Sequence, residues 1–416
     1  MADKAPGVAP RGSILAAPSF AVGIGLAIAP VAVVLQSKAM APVGLIALGF
    51  AVAADWRRHG TLPRQGRAAL WLALALAAWG MLSALWAPEP WRAVEMGATV
   101  AAMALLAAAA AGAVARDAPE ARTVMARLAF WGLAAGLAVA ALDDVTGNSV
   151  RAFVRGIREA PATLAYGLKP AGSVMAMLLP LAAAAPVAAW LRAAVLVLGA
   201  SVVLMLPGDS AKIAALAGMA ALALAWRWPR RAPVLAGSGL AVTVVLMPLL
   251  MSAALSGGLQ GERIPFSATH RLLIWDFTTS RIAERPLFGW GMEASRTIPG
   301  GRDAASAEAL DRFAIHSPAW RYALSLPQMQ MMPLHPHNGA LQVWLELGVV
   351  GAVLAGALLV LLGRAARAAP HPPAATGALV AAFVTGMLSF GLWQPWWITA
   401  QLLALVGLAG MPERRG

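Results

Sequence analysis

The sequence predicts an all-α, polytopic integral membrane protein, and three observations lead there. Apolar residues make up 60% of the 416 residues and charged ones only 12%, against roughly a quarter charged in an average soluble domain. The apolar runs recur along the whole length, most of them near the roughly 20 residues a helix needs to cross the hydrocarbon core. They show no period of two, which argues against a transmembrane barrel.

Helices are predicted near 14–36, 40–54, 68–87, 93–114, 123–142, 171–188, 190–206, 211–226, 233–255, 339–362, 374–392 and 396–412, about twelve in all. The first follows a short basic segment, Met1 to Gly12, and has no Ala-x-Ala cleavage site before a soluble domain. It reads as a signal anchor, with a kink expected at Pro30. The second and eighth are short enough to tilt or to be partly re-entrant. No Asp, Glu, Lys or Arg occurs from Ala368 to Pro412. Gln394-Pro395-Trp396-Trp397 is therefore the expected turn between the last two spans, with the tryptophans as interface anchors. The chain divides into an N-terminal bundle over 1–255, a loop region over 256–338 and C-terminal helices over 339–416, forming one integrated membrane domain.

The net charge of +13 would suggest nucleic acid in a soluble protein. Here its main cause is topology. With the N-terminus cytoplasmic, Arg57, Arg58, Arg64, Arg67, Arg116, Arg122, Arg127, Arg192, Arg227, Arg230, Arg231, Arg364 and Arg367 fall in cytoplasmic connections, as the positive-inside rule requires. An even helix count returns Arg414 and Arg415 to the same side. The absence of cysteine excludes disulfides and thiolate metal sites.

The connection from Ser256 to Pro336 falls on the outer side and is too long to be structureless. Ala268 to Glu284 is predicted as an amphipathic helix with Leu272, Trp275, Phe277 and Ile282 as apolar positions, stopped at Pro286. Ala304 to Phe313 is a weaker second helix, and both are expected on the outer face of the bundle.

Several cations sit where the positive-inside rule does not place them: Arg151, Arg155, Arg158 and Lys169 in the fifth connection, and Lys212 one turn inside the eighth helix. Outer carboxylates such as Asp143, Asp144, Glu159 and Asp209 are few and mostly distant in sequence. Charge near the membrane is costly without a partner. Two phosphates of a lipid pyrophosphate would satisfy several Arg or Lys. Arg151, Arg155 and Arg158 equally fit one exposed helix face touching phospholipid headgroups. His270 and Arg271 open the amphipathic helix, where Arg271 with Asp276 and Arg281 with Glu284 fit simple surface pairs.

The longest polar interval ends in His335-Pro336-His337-Asn338 and runs directly into an apolar helix. Asn338 is a natural N-cap. A histidine beside it titrates near neutral pH and suits proton transfer from a sugar hydroxyl; the bland alternative is a pair of interfacial histidines. Pro336 separates the two imidazoles and points them in different directions, and as a metal pair they lack further ligands. Glu346 lies more than two turns inside the helix and either accepts from buried donors or orients a neighbour. Gly348 and Gly351 allow close helix packing.

His337-Asn338, nine residues, Gly348, two residues, Gly351 resembles the H-[NSQ]-x9-G-x-x-[GTY] motif of the O-antigen ligase and O-antigen polymerase superfamily. Arg271-Leu-Leu-Ile-Trp275 followed by Pro286-Leu287-Phe288-Gly289-Trp290-Gly291 is similar to that family's R-x-x-x-W…P-x-x-G-x-G segment. One departure stands out: relatives often carry Ser-Arg where this chain has Asp209-Ser210-Ala211-Lys212, and Lys keeps the charge without the planar fork. The resemblance implies a GT-C-like, metal-independent and cofactor-free glycosyltransferase of the bacterial inner membrane with its active site facing the periplasm. The implied donor is undecaprenyl-diphosphate-linked O-antigen and the implied acceptor lipid A–core, with no nucleic acid involved. His337 would be the general base of an inverting transfer. Lys169, Lys212, Arg271, Arg155 and Arg158 would hold the diphosphate, with Asn338, His335, His270 and Glu346 in support. The single large loop favours a ligase. The competing readings are a polymerase with the same chemistry and, from another class, an anion transporter, which would place its ionisable residues near the bilayer midplane.

Overall fold

The computed structural model describes residues 13–63, 67–257 and 259–413, so the basic segment before the first helix, Arg64, Arg414 and Arg415 lie outside the described residues. The chain is all-helical there, and its α-helices are α1 Pro18–Leu35, α2 Met40–His59, α3 Arg67–Leu82, α4 Pro90–Ala115, α5 Pro119–Val145, α6 Ser149–Val154, α7 Leu168–Leu178, α8 Ala189–Met205, α9 Asp209–Arg227, α10 Ala232–Ser256, α11 Phe266–Glu284, α12 Ala307–Arg312, α13 Pro318–Leu324, α14 Gly339–Ala368, α15 Pro372–Leu388 and α16 Pro395–Ala409. Among the described residues nine helical segments are long and apolar enough to cross a membrane, and α8, α15 and α16 are shorter apolar helices. This is a polytopic membrane protein. Large apolar side chains such as Ile46, Phe50, Trp71, Val197, Leu235 and Leu249 remain exposed on the spans, as surfaces solvated by lipid must.

Local chemistry sets the element boundaries. Proline opens α1, α4, α5, α15 and α16, where its missing N–H costs nothing and its φ is already helical. Gly60, at φ 64°, ends α2 in the left-handed conformation. The second and eighth spans, expected to be short, are full length: Ser37–His59 and Asp209–Arg227 cover 23 and 19 residues. The irregular span is the sixth, where α7 is flanked by 3-10 turns at Ala162–Gly167 and Leu179–Ala184. Those turns are tolerated because this segment is the most enclosed of the spans, with 78% of its apolar window buried against neighbouring helices.

Two apolar cores divide the bundle. One joins α1, α2, α4, α5, α7 to α9, α15 and α16; the other joins α3 and α4 to α10, α11 and α14. Trp397, expected at the interface, is fully buried in the first, and Trp396 packs on Phe390 beside it. Two tryptophans in sequence at a helix start point in different directions, and only one can face outward. The loop region builds a small core of its own from Leu272, Leu273, Leu310, Phe313, Ile315 and Leu324. The second loop helix is shorter than expected, Ala307–Arg312, and Pro318–Leu324 follows it.

Arg151 corrects the picture of an exposed basic face. Its side chain is fully buried, bonds Asp143 at 2.6 Å through Nε and donates to the Leu164 carbonyl through Nη1 at 2.6 Å. Asp143 is only eight residues away, and α6 folds back to bring the two together. The helix ends at Val154, so Arg155 turns to donate to the Leu35 carbonyl at the end of α1, while Arg158 lies exposed beyond it. Three arginines at helical spacing thus have three different surroundings.

Candidate active site

The site is built at one end of the bundle, where α7, α9, α11 and α14 begin and α15 ends. Asn338 caps α14, its Oδ1 accepting from the Leu341 N–H at 3.0 Å. That cap fixes the backbone before it, and His337 takes a left-handed conformation, φ 53°, rare for a side chain with a Cβ. Its own N–H donates to Nδ1 of His335 at 3.2 Å. The two rings meet edge to face, 4.3 Å between centroids, and do not point apart as the intervening proline suggested. The left-handed turn at His337 folds them together.

The Nδ1 of His337 lies 2.8 Å from the carbonyl oxygen of Ser389, at the end of α15. A carbonyl can only accept, so Nδ1 carries the proton and Nε2 keeps a free lone pair. Burial lowers the pKa of His337; the Ser389 carbonyl works against that, and the positive charges of Arg271, His270 and Lys169 add to the lowering. The ring is therefore neutral at pH 7. His335 is pushed down to about 3, first by burial and then by His337, Arg296 and Arg271. His270 is also lowered by burial, and its Nε2 sits 3.0 Å from the Gln330 carbonyl.

Arg271 stands on the first turns of α11, half-buried, and makes neither a hydrogen bond nor an ion pair among the described residues. Asp276, its possible partner by sequence, pairs with Arg312 instead, and Arg281 does pair with Glu284. Burial lowers the Arg271 pKa and Asp209 partly offsets this, but a guanidinium stays charged regardless. Lys169 lays its stem against Gly208 and its ammonium over the Tyr166 ring at 4.5 Å. Lys212 is tied to Asp209 at 3.4 Å. The structure thus gathers His337, His335, His270, Arg271 and Lys169 at one place, sets Lys212 at its edge, and engages Arg155 elsewhere.

Glu346 is fully buried and collects four donors: the Glu293 N–H at 2.8 Å, Ser295 Oγ at 2.6 Å, Gln342 Nε2 at 3.1 Å and Trp393 Nε1 at 2.6 Å. Just beyond it α14 is interrupted. Gly348 has φ 63°, and a Cβ there would collide with the Leu287 carbonyl. The freed carbonyls of Leu345, Glu346 and Leu347 accept from Trp290 N–H, Gly291 N–H and Trp79 Nε1 at 2.8, 2.8 and 3.0 Å. Val349 N–H in turn donates to the Pro286 carbonyl at 2.9 Å. Gly348, expected as a packing residue, is a break into which the Pro286–Gly291 turn is inserted. Sequence reasoning missed Gln342, Ser389 and Trp393; the only local signal was a Gln and a Glu four residues apart on an otherwise apolar helix start.

The two halves of the motif pattern are therefore one physical unit. The segment 286–291 fills the break in α14, and Trp275 donates through Nε1 to the Pro336 carbonyl at 2.8 Å. Residues 193–356 match the family described as O-antigen ligase. This stretch of the chain is similar to the O-antigen ligase family. Proteins called "Putative polysaccharide ligase" resemble it from Rickettsia conorii, 31% identical over 146 residues, and Rickettsia prowazekii, 30% over 143. In each case the match covers 34% of this chain and 31% of the relative. A Rickettsia bellii protein of the same name is 29% identical over 178 residues, covering 40% of this chain and 38% of the relative. All the site residues from Lys212 to Glu346 fall inside the matched stretch, whereas Lys169, Ser389 and Trp393 lie outside it.

Proposed function

We propose that this O-antigen ligase-type chain is a glycosyltransferase that moves a glycan from undecaprenyl diphosphate to a sugar hydroxyl of lipid A–core. The observation that carries the reading is His337: a neutral imidazole with Nδ1–H held by Ser389, Nε2 free, beside the unpaired guanidinium of Arg271.

In this reading Nε2 takes the proton of the acceptor hydroxyl as its oxygen attacks the anomeric carbon. The bond from that carbon to the diphosphate breaks, the diphosphate leaves with the electron pair, and the configuration inverts. Arg271 and Lys169, with Lys212 at the edge, stabilise the charge that develops on the leaving group. Asn338 fixes the start of α14, and His335, kept neutral by burial, accepts from the His337 backbone without competing for the proton. In this reading both termini are cytoplasmic and the site faces the periplasm at the inner membrane, an orientation the arginine-rich connections support.

The test is incubation of purified protein with lipid-linked glycan and lipid A–core in the presence of chelator, read on a gel. Glycosylated lipid A–core is the expected product. Transfer by His337→Ala should fall by about 10²–10⁴-fold while donor binding persists. Full activity of that variant removes the base, and lengthening of the lipid-linked glycan without modified lipid A–core makes the protein a polymerase.

A further inference from the structure

The carbonyl that orients His337 belongs to the turn between α15 and α16, and that turn is held from three directions. Ser210 Oγ, in the first turn of α9, donates to the Leu388 carbonyl at 2.9 Å. Gln342 Oε1 accepts from the Leu392 N–H at 3.0 Å, and Gln342 Nε2 donates to Glu346 Oε1 at 3.1 Å. Trp393 Nε1 donates to Glu346 Oε2 at 2.6 Å. Gln342, Glu346 and Trp393 are buried, at 2%, 0% and 6% exposure, so none of these bonds is exchanged readily for one to bulk water. Ser389 sits between the Leu388 and Leu392 anchors and spends its carbonyl on His337.

We propose that Gln342 and Glu346 are positioning residues that hold the Leu388–Trp393 turn, and through the Ser389 carbonyl fix the protonated nitrogen of His337 as Nδ1. This rests on the reading of His337 as the base but makes a separate claim about the ring. A neutral imidazole has two tautomers, and only the one with Nε2 bare can take a proton on that side. The acceptor that sets the tautomer is not local: Ser389 is 52 residues from His337, and Trp393 is 47 residues from Glu346. Glu346 also accepts from Ser295 and the Glu293 N–H, so the same carboxylate locks the loop segment just after the helix-break turn. The carboxylate thereby ties the periplasmic-loop side of the site to the α15–α16 side.

The test uses full-length protein with 15N-labelled histidine in detergent, the His337 ring resonances being assigned by their loss in His337→Asn. Wild type is expected to show Nδ1 protonated and Nε2 bare. Trp393→Phe keeps an aromatic ring, though a smaller one, and Gln342→Met keeps the chain length, each deleting its bonds, and Gln342→Met is expected to shift His337 toward a mixture of tautomers. Its kcat should fall at least about tenfold with donor KM unchanged, since a histidine in the wrong tautomer loses its role as base. Trp393→Phe, which leaves the Leu392 bond in place, should give a smaller change of the same sign. A His337 that stays wholly Nδ1-protonated in both variants, with both folded by their thermal transitions, overturns the proposal. A tautomer shift with unchanged kcat upholds the positioning and instead removes His337 as the base.

Discussion

The indole N–H of Trp275 donates to the carbonyl oxygen of Pro336 at 2.8 Å, so α11 grips the backbone one residue before His337. Trp275 and Arg271 are four residues apart on α11, hence on one face, and the bond that anchors the His335–Asn338 segment also aims Arg271 at it. Trp275→Phe removes the donor and keeps most of the ring. We expect a loss of about 1 kcal/mol in stability, read as a modest fall of the thermal transition in detergent. Transfer should fall further, by about tenfold or more, because catalysis is sensitive to small misplacements of the proposed base. A variant with lowered stability but undiminished turnover would show that this contact only holds the fold.

The base role proposed for His337 predicts a defined pH dependence. In that role the ring must be neutral, and burial together with the nearby positive charges lowers its pKa. The acid limb of kcat should therefore lie below pH 6.5, with rate lost as pH falls through the lowered value. Arg271→Gln removes a charge that disfavours the imidazolium, so the limb should move up in pH while remaining below the ordinary histidine value, burial being the larger cause. Rates measured at saturating donor across pH 4 to 8 check this; a limb that stays put would separate Arg271 from His337.

Gly348 is expected to tolerate no side chain. Its φ of 63° with ψ −161° lies in a region essentially reserved for glycine and costs an L-residue on the order of 1–3 kcal/mol, and the new Cβ would also meet the Leu287 carbonyl. Gly348→Ala should give little folded protein on size-exclusion chromatography. Gly239→Ala is the control: it lies inside α10 with nothing within 4 Å of the added carbon, and should gain about 0.5–1 kcal/mol from the smaller entropy of alanine. Similar behaviour of the two would refute the helix break.

The Asp143–Arg151 pair has both side chains at 0% exposure. Removing one partner strands the other charge, so Asp143→Ala should destabilise by about 3–5 kcal/mol. The double replacement Asp143→Leu with Arg151→Met should recover much of that loss, because it removes the stranded charge as well. Thermal transitions of the two single variants and the double variant measure the coupling, and strictly additive effects would contradict it.

The all-α class and the approximate bounds of the apolar helices were legible in composition and run length, because the need of a membrane span for some 20 apolar residues and internally satisfied backbone acts locally; the short helices α6 and α13 were not. The motif residues His337, Asn338, Arg271 and Gly348 could be picked out by their resemblance to the family's pattern. Their geometry could not. His337 owes its tautomer to Ser389, Glu346 its donors to Glu293, Ser295 and Trp393, and Arg151 its burial to the return of α6 onto Asp143. Three arginines at 151, 155 and 158 looked alike in sequence, and packing gave one an ion pair, one a backbone carbonyl and one open solvent. Run length and charge bias are properties of a segment read alone. A hydrogen bond across 52 residues exists only once the helices between its ends have packed, and that packing decided which histidine nitrogen is free.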